Sequence, residues 1–290
     1  MKISSDLSLT VDAEEVKQVL EQIQSALPSV RDKELLKHIF SLIDLTTLSE
    51  RDNIENVSRL CEQVNLLGES YPSMPLIAAI CVYPELIAVV KENLENPLIS
   101  IASVGGGFPA SQTFTNIKVM EIEQAIGEGA EEIDIVLPVG KFLMGDLEYV
   151  EYEIQIIKER IGPVHLKVIL ETGSLADYSL IRKASLLAIE SGANFIKTST
   201  GKVTPGATPE AMIVMCQAIK DYYNRTGKKI GIKPAGGISD SETAILYYAI
   251  VKEILGEDWL DRERFRIGAS RLANRLMADI FDKGPDFSYF

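Results

Sequence analysis

Five charged residues interrupt segments that otherwise consist almost entirely of valine, isoleucine and leucine. They are Asp44 in LIDLTTL, Asp134 in EEIDIVLP, Lys167 in HLKVILETG, Lys197 in FIKTSTGK and Lys233 in GIKPAGG. Burying an isolated ionised group costs several kcal/mol or more. These side chains must therefore be paired with one another, lie at an open end of the fold, or have shifted pKa values, and we take them as the candidates for chemistry.

Lys197 and Lys233 each follow an isoleucine and precede a glycine-containing turn. If Ile196 and Ile232 pack outward, alternation along a strand points both lysines into one interior. Two ammonium groups on neighbouring strands repel, so one of them should have a lowered pKa; a shift from about 10.4 to about 7 corresponds to roughly 4 to 5 kcal/mol. A neutral amine beside an acid/base such as Asp134 can form an imine with a carbonyl substrate.

Short apolar runs alternate with helical segments about every 30 residues, which is typical of βα units. The predicted strands are 39–45, 76–82, 99–104, 132–137, 165–170, 194–198, 229–233 and 265–268. The predicted helices are 50–67, 84–94, 114–128, 146–160, 175–191, 208–223, 239–255 and 270–281, with a leading amphipathic helix at 11–27.

Eight such units without a Pro-, Gly- or Ser-rich linker indicate an α/β protein, a single (β/α)8 TIM barrel with an N-terminal extra helix. We expect one domain over residues 1–290, with a helical extension at 1–37 and a tail at 283–290 that is disordered or folds across the barrel mouth. Active sites of such barrels lie at the C-terminal ends of the strands, where Lys197 and Lys233 are predicted to lie.

Glycine-rich turns after the sixth, seventh and eighth predicted strands are candidates for a phosphate site. Small residues there let backbone N–H groups and a helix N-terminus approach an anion, although glycines also simply permit tight turns. The candidates are Gly201, Lys202, Gly236, Gly237, Ser239, Gly268 and Ser270, with Lys202 supplying positive charge.

The composition narrows the function further. A net charge of -13 repels nucleic acids and anionic membranes, so neither is an expected partner. Three dispersed cysteines and two histidines argue against a disulfide framework and a histidine-rich zinc site. The first 16 residues lack an apolar signal core, and no apolar run approaches the roughly 18 residues of a membrane span, so we expect a soluble, cytoplasmic protein.

Several of these segments together resemble deoxyribose-phosphate aldolase, a family of class I aldolases on a (β/α)8 barrel. The most specific match is FIKTSTGK followed about 30 residues later by KPAGG. The remaining matches are IDLTTL, AAICVYP, GAEEIDIVLP, LKVILETG, LIRKAS and FRIGAS, in order along the chain.

The resemblance implies that Lys197 forms the Schiff base, that Lys233 lowers its pKa, and that Asp134 takes part in proton transfer. It implies that 2-deoxyribose 5-phosphate is cleaved reversibly to glyceraldehyde 3-phosphate and acetaldehyde without a metal or organic cofactor, in a homo-oligomer, a dimer or tetramer. The matched positions that would contact substrate are Asp44, Cys81, Lys167 and Thr200. Arg271 after IGAS, and Ser239 after AGGI, depart from the family pattern, as though an arginine had moved between neighbouring phosphate loops.

Two other functions remain open at this point. The chain could be a Schiff-base barrel aldolase for another sugar phosphate, which would share the lysine but not the KPAGG loop. It could instead be a catalytically silent phosphate-binding barrel, against which the paired lysines argue, because binding alone does not require a desolvated amine.

Overall fold

A computed structural model describes residues 8–27, 32–175, 177–284 and 286–290. Eight parallel strands alternate with helices along the chain. The strands are β1 Ile43–Thr46, β2 Ala79–Val82, β3 Ser100–Gly105, β4 Glu132–Val136, β5 His165–Ile169, β6 Phe195–Lys197, β7 Gly231–Lys233 and β8 Ile267–Ala269. Each strand overlaps one of the eight predicted segments.

The helices surround the strands. They are α1 Ala13–Ser25, α2 Lys33–Ser41, α3 Ile54–Ser70, α4 Ile87–Asn93, α5 Thr115–Glu128, α6 Val139–Leu143, α7 Leu147–Ile161, α8 Tyr178–Glu190, α9 Pro209–Thr226, α10 Ser241–Leu255 and α11 Arg271–Ile280. Among the described residues, no helix combines the length and the apolar character needed to cross a membrane.

The sheet closes into a barrel, as predicted. Neighbouring strands pair in the order β7, β6, β5, β4, β3, β2, β1, β8. Parallel bridges between Ile232 and Phe265 and between Ala235 and Gly268 connect β7 to β8 and complete the ring. In this register Lys197 lies beside Lys233, and Asp134 lies beside Lys167.

The two faces of the strands differ in chemistry. Outward-facing Ile196 and Ile232 are fully buried in the large apolar core between barrel and helices. Inside the barrel, Ala79, Cys81, Ala102 and Val104 of β2 and β3 form a separate small apolar cluster. The remaining interior holds the charged residues, so one wall of the barrel is apolar and the other is ionic.

The chain before β1 differs from the prediction. Residues 39–41, predicted to begin the first strand, end α2, because Leu36, Ile39 and Phe40 are buried together at helical spacing. Asp32 starts this helix by accepting a hydrogen bond from the Glu34 N–H. The leading helix is confirmed as α1, which packs on α9 and α10.

Two further segments correct the predictions. Residues 50–53 lie outside α3, since Asn53 caps that helix through a reciprocal hydrogen-bonded pair with Asn56. In the tail, the Tyr289 and Phe290 N–H groups donate to Asn274 Oδ1, at 2.7 and 2.9 Å, and the Tyr289 hydroxyl donates to the Gln63 carbonyl. Residues 286–290 therefore pack against α3 and α11, and not across the barrel mouth.

Candidate active site

A cavity of about 370 Å³ opens at the C-terminal end of the barrel. Its lining consists of Lys197 and residues 46–49, 200–202, 235–238 and 268–271, which follow β1, β6, β7 and β8. Among these described lining residues none is acidic, whereas Lys197, Lys202 and Arg271 are basic. The cavity therefore suits an anionic ligand even though the chain as a whole is strongly acidic.

Lys197 stands where the cavity meets the barrel interior. All three interior lysines are buried, with Lys197 2% exposed and Lys167 and Lys233 0% exposed, but of the three Lys197 alone belongs to the described lining of the cavity. The short strand β6 ends at Lys197, and the Thr198 N–H donates to the Lys233 carbonyl, which fixes the two lysines side by side. Of the three interior lysines, Lys197 is therefore the one that borders the space where an electrophile could bind.

Asp134 on β4 is the centre of the interior charges. Its Oδ2 accepts hydrogen bonds from Lys197 Nζ and Lys233 Nζ, both at 2.8 Å, and its Oδ1 accepts one from Lys167 Nζ at 3.0 Å. Burial by itself would raise the pKa of Asp134, but the three lysines outweigh burial and hold that pKa well below its usual value. Asp134 is thus a carboxylate within reach of the Lys197 amine.

The pKa of Lys197 is lowered, as expected from the sequence. Burial is the largest cause, Asp134 opposes it, and the positive charge of Lys233 lowers the pKa further. For Lys233 and Lys167 burial acts in the same direction, but neighbouring carboxylates reverse it and raise both pKa values. The chemistry of the three amines therefore differs, and Lys197 is the one that most readily loses its proton.

A second layer of charges lies beneath these lysines, and sequence reasoning found only part of it. Asp44 accepts a hydrogen bond from Arg266 Nη1 at 2.6 Å and pairs with Lys233 Nζ at 2.5 Å. Glu132 accepts from Arg266 Nη2 at 2.8 Å and from Lys167 Nζ at 2.5 Å. Glu132 and Arg266 were missed, although a charge in a buried strand, the signal that identified Asp134, is also present at Glu132.

Seven residues, which we call the interior network, thus form one connected set of charges. They are Lys167, Lys197, Lys233, Arg266, Asp44, Glu132 and Asp134. Four are cations when protonated and three are carboxylates. If Lys197 is neutral, the buried charges balance, which agrees with the lowered pKa of that lysine.

Most phosphate candidates lie together at the cavity. Gly201, Lys202, Gly236, Gly237, Gly268 and Ser270 all line it, as does Thr200. Ser239 lies outside the lining, because residues after Ile238 lead into α10. Arg271, at the first position of α11, joins the lining, while Lys202 Nζ donates to the Leu48 carbonyl on the opposite rim.

The other substrate-contact candidates lie deeper. Asp44 and Lys167 are fully buried in the interior network and do not line the cavity. Cys81 is fully buried in the small apolar cluster, and burial raises the pKa of its thiol. The structure therefore brings Lys197, Lys233 and Asp134 together and places Asp44, Lys167 and Cys81 behind them.

The closed barrel, and the buried lysine of lowered pKa that lines a basic cavity at its C-terminal end, are the features of an α/β-barrel aldolase. Residues 39–252 match the family described as DeoC/LacD family aldolase. The chain is 41% identical over 257 residues to deoxyribose-phosphate aldolase of Homo sapiens, covering 85% of this chain and 80% of that protein. It is 40% identical over 273 residues to the enzyme of the same name from Bos taurus, covering 90% and 84%. The chain belongs to the DeoC/LacD aldolase family.

Solved structures agree on the fold. QR15, an aldolase, superposes with a TM-score of 0.68 at 26% identity, covering 84% of this chain and 96% of that one. Deoxyribose phosphate aldolase from Aeropyrum pernix superposes with a TM-score of 0.65 at 23% identity, covering 93% and 98%.

Proposed function

We propose that this protein is a class I aldolase that reversibly cleaves 2-deoxy-D-ribose 5-phosphate to D-glyceraldehyde 3-phosphate and acetaldehyde through a Schiff base on Lys197. The observation that carries the proposal is the contrast among three interior lysines: only Lys197 both lines the cavity and has a lowered pKa. The names of the relatives supply the substrate.

The reaction begins at the Lys197 amine. The neutral amine attacks the C1 aldehyde of the open-chain sugar, and loss of water gives a positively charged iminium. Asp134, hydrogen-bonded to Lys197 Nζ at 2.8 Å, is placed to accept and return the protons of these steps directly or through water. Lys233, with a raised pKa, remains charged and compensates Asp134 throughout.

Carbon–carbon cleavage follows from the charge on nitrogen. As the C3 hydroxyl gives its proton to Asp134, directly or through a water, the electrons of the C2–C3 bond move toward the iminium, and glyceraldehyde 3-phosphate leaves. Protonation of the resulting enamine carbon and hydrolysis of the imine release acetaldehyde and restore the amine. No step in this sequence requires a metal or an organic cofactor.

The phosphate group would occupy the outer part of the cavity. Gly201, Gly236, Gly237 and Gly268 allow close backbone approach, and α11 begins at the lining with Ser270 and Arg271. We assign the guanidinium of Arg271 as a principal charge for this group, because Lys202 Nζ already donates to Leu48. Ser239 is left out of this proposal because it does not line the cavity.

Assembly and location complete the proposal. A homo-oligomer of two or four copies is suggested by the family, of which the Aeropyrum pernix enzyme is described as tetrameric. The single-domain organisation and the cytoplasmic location come from the sequence. Sedimentation of the purified protein would test the proposed oligomeric state.

Borohydride trapping tests the central claim. The protein is reduced in the presence of acetaldehyde or deoxyribose 5-phosphate, digested, and analysed by mass spectrometry. We expect a reduced adduct on Lys197 with both compounds, and none in Lys197→Met. An adduct on Lys233 or Lys167 instead would contradict the assignment of the nucleophile, and no adduct in folded protein would favour a phosphate-binding barrel without catalysis.

Assays with other sugar phosphates test the remaining alternative, a Schiff-base aldolase with a different substrate. Trapping on Lys197 by a different sugar phosphate, combined with no turnover of deoxyribose 5-phosphate, would retain the mechanism and replace the substrate.

A further inference from the structure

Glu171 is a buried acidic residue that the reaction described above does not use. It follows β5, its side chain is nearly inaccessible at 4% exposure, and its backbone has φ 54° and ψ 57°. This left-handed conformation is unfavourable for residues other than glycine. A carboxylate held in a strained backbone conformation and away from water indicates a specific local requirement.

Both oxygens of Glu171 go to donors on Thr200, in the loop after β6. Glu171 Oε2 accepts from the Thr200 hydroxyl at 2.6 Å, and Oε1 accepts from the Thr200 backbone N–H at 3.2 Å. Thr200 lines the cavity, three residues after Lys197. The carboxylate therefore fixes both the backbone and the hydroxyl of a cavity residue.

This contact determines whether the Thr200 hydroxyl can donate or only accept a hydrogen bond from a ligand. A threonine hydroxyl has one proton and two acceptor positions. The proton is donated to Glu171, and the Lys202 N–H occupies one acceptor position at 3.0 Å. The position that remains can only accept, so the group it suits on a ligand is a donor such as a sugar hydroxyl.

The rest of the β6 loop is held by close backbone packing. A Cβ on Gly173 would lie 2.1 Å from the Pro205 carbonyl oxygen, and one on Gly206 would lie 2.4 Å from the Gly236 carbonyl oxygen. The loop is thus confined between the loops after β5 and β7. Glu171 adds the side-chain contact at the end of the loop that faces the cavity.

We propose that Glu171 is a positioning residue that holds Thr200 as a hydrogen-bond acceptor for a substrate hydroxyl and fixes the start of the loop carrying Gly201 and Lys202. This inference rests on the proposed function, because it needs a hydroxylated, phosphorylated substrate in this cavity. It predicts that Glu171 matters for the sugar and not for acetaldehyde, which has no hydroxyl or phosphate.

Glu171→Gln is the sharpest variant because it keeps the size of the side chain. The amide oxygen can still accept from the Thr200 N–H, but the amide nitrogen then faces the hydroxyl and reverses its polarity. We expect KM for deoxyribose 5-phosphate to rise about 10- to 100-fold with a smaller change in kcat. Borohydride trapping of acetaldehyde on Lys197 should stay within about twofold of wild type.

Asp240→Asn is the matched control. Asp240 accepts from the Thr243 N–H and hydroxyl at 2.8 and 2.9 Å, the same pair of donors, but Thr243 lies on α10 outside the cavity lining. Asparagine caps a helix about as well as aspartate, so this variant makes the same change of carboxylate to amide and should leave KM for the sugar phosphate nearly unchanged. In a Thr200→Val background, Glu171→Gln should add little, because the hydroxyl it controls is already gone.

Unchanged KM and kcat in Glu171→Gln would overturn the inference, as would a parallel loss of sugar cleavage and acetaldehyde trapping. If Glu171→Gln does not fold, Thr200→Val decides, since a wild-type KM in that variant also overturns it. Failure of the proposed function looks different: the wild-type protein itself would neither cleave the sugar nor trap acetaldehyde.

Discussion

Two groups of buried charges in this protein differ in their balance. Between α5 and α7, Lys118 Nζ lies 2.6 Å from Glu153 Oε1, with both side chains 1% exposed. The Lys118 ammonium also donates to Ser111, and hydroxyls of Thr115 and Tyr149 donate to the other Glu153 oxygen. One cation faces one anion, and neutral hydroxyls complete the hydrogen bonding.

The interior network of the barrel has four basic groups for three carboxylates. The excess group is Lys197, whose lowered pKa and contact with the cavity distinguish it from its neighbours. A balanced buried pair holds two helices together, whereas an excess amine supplies a nucleophile. The number of opposing charges, and not burial alone, therefore separates a structural lysine from a reactive one.

The largest effect should come from Lys197→Met. It removes the nucleophile and should lower kcat/KM by at least about 10⁴-fold. Because it also removes the excess amine, the free energy of unfolding should stay within about 1 kcal/mol of wild type or increase. Turnover measurements test the loss of activity, and urea unfolding tests the stability. A large loss of stability would show that the interior network needs all four basic groups.

Lys118→Met should have the opposite effects, a loss of stability without a loss of activity. It leaves the Glu153 carboxylate buried without its cation, so the free energy of unfolding should fall by about 3 to 5 kcal/mol. Turnover by the folded fraction should be retained. The double variant Lys118→Met with Glu153→Leu should recover much of the lost stability, and its failure to do so would argue against a simple balanced pair.

Lys233→Met should change the pH dependence of the reaction. Without the charge of Lys233, the pKa of Lys197 should rise, because a cation that lowers it is removed and Asp134 acts on it more strongly. The amine reacts only when unprotonated, so the rising limb of kcat/KM should move to higher pH, with about a 100-fold loss near neutrality that lessens as the pH is raised. Lys202 lies outside the interior network, so Lys202→Met should leave the rising limb of the pH profile at the same pH.

The smallest effect should come from Arg271→Ser. Loss of a charged hydrogen bond should lower kcat/KM for deoxyribose 5-phosphate about 10- to 100-fold and leave that for unphosphorylated deoxyribose unchanged. Arg275→Ser is the control, since Arg275 lies one turn further along α11 and pairs with Asp279 at 3.1 Å. Equal losses with both sugars would remove Arg271 from the phosphate site.

Much of the fold and the centre of the site could be predicted because both leave a local pattern in the sequence. The barrel followed from eight repeated units, and Lys197, Lys233 and Asp134 stood out as charges within apolar strands. Residues 39–41 were misassigned because Ile39 and Phe40 suit a strand as well as a helix, and only their burial together with Leu36 decides between them.

The site residues that the sequence did not predict depend on contacts between distant segments of the chain. Arg266 precedes β8 in sequence, and its partners Asp44 and Glu132 come from two other strands. Glu171 lies in a loop, where an acidic residue is ordinary, and its importance appears only from its burial and its contact with Thr200. Sequence spacing could not show that Ser239 lies outside the lining of the cavity.

None of the described residues that line the cavity is acidic, whereas the chain carries a net charge of -13, and this contrast affects how fast an anionic substrate binds. At low ionic strength the distant negative charges repel an approaching phosphate ester, while the basic groups act only at short range. Salt near 0.1 M, where the screening length is about 10 Å, weakens the distant repulsion more than the local attraction. Added sodium chloride should therefore first increase and only later decrease kcat/KM for the phosphorylated sugar, and a steady decrease from the lowest concentration would contradict this.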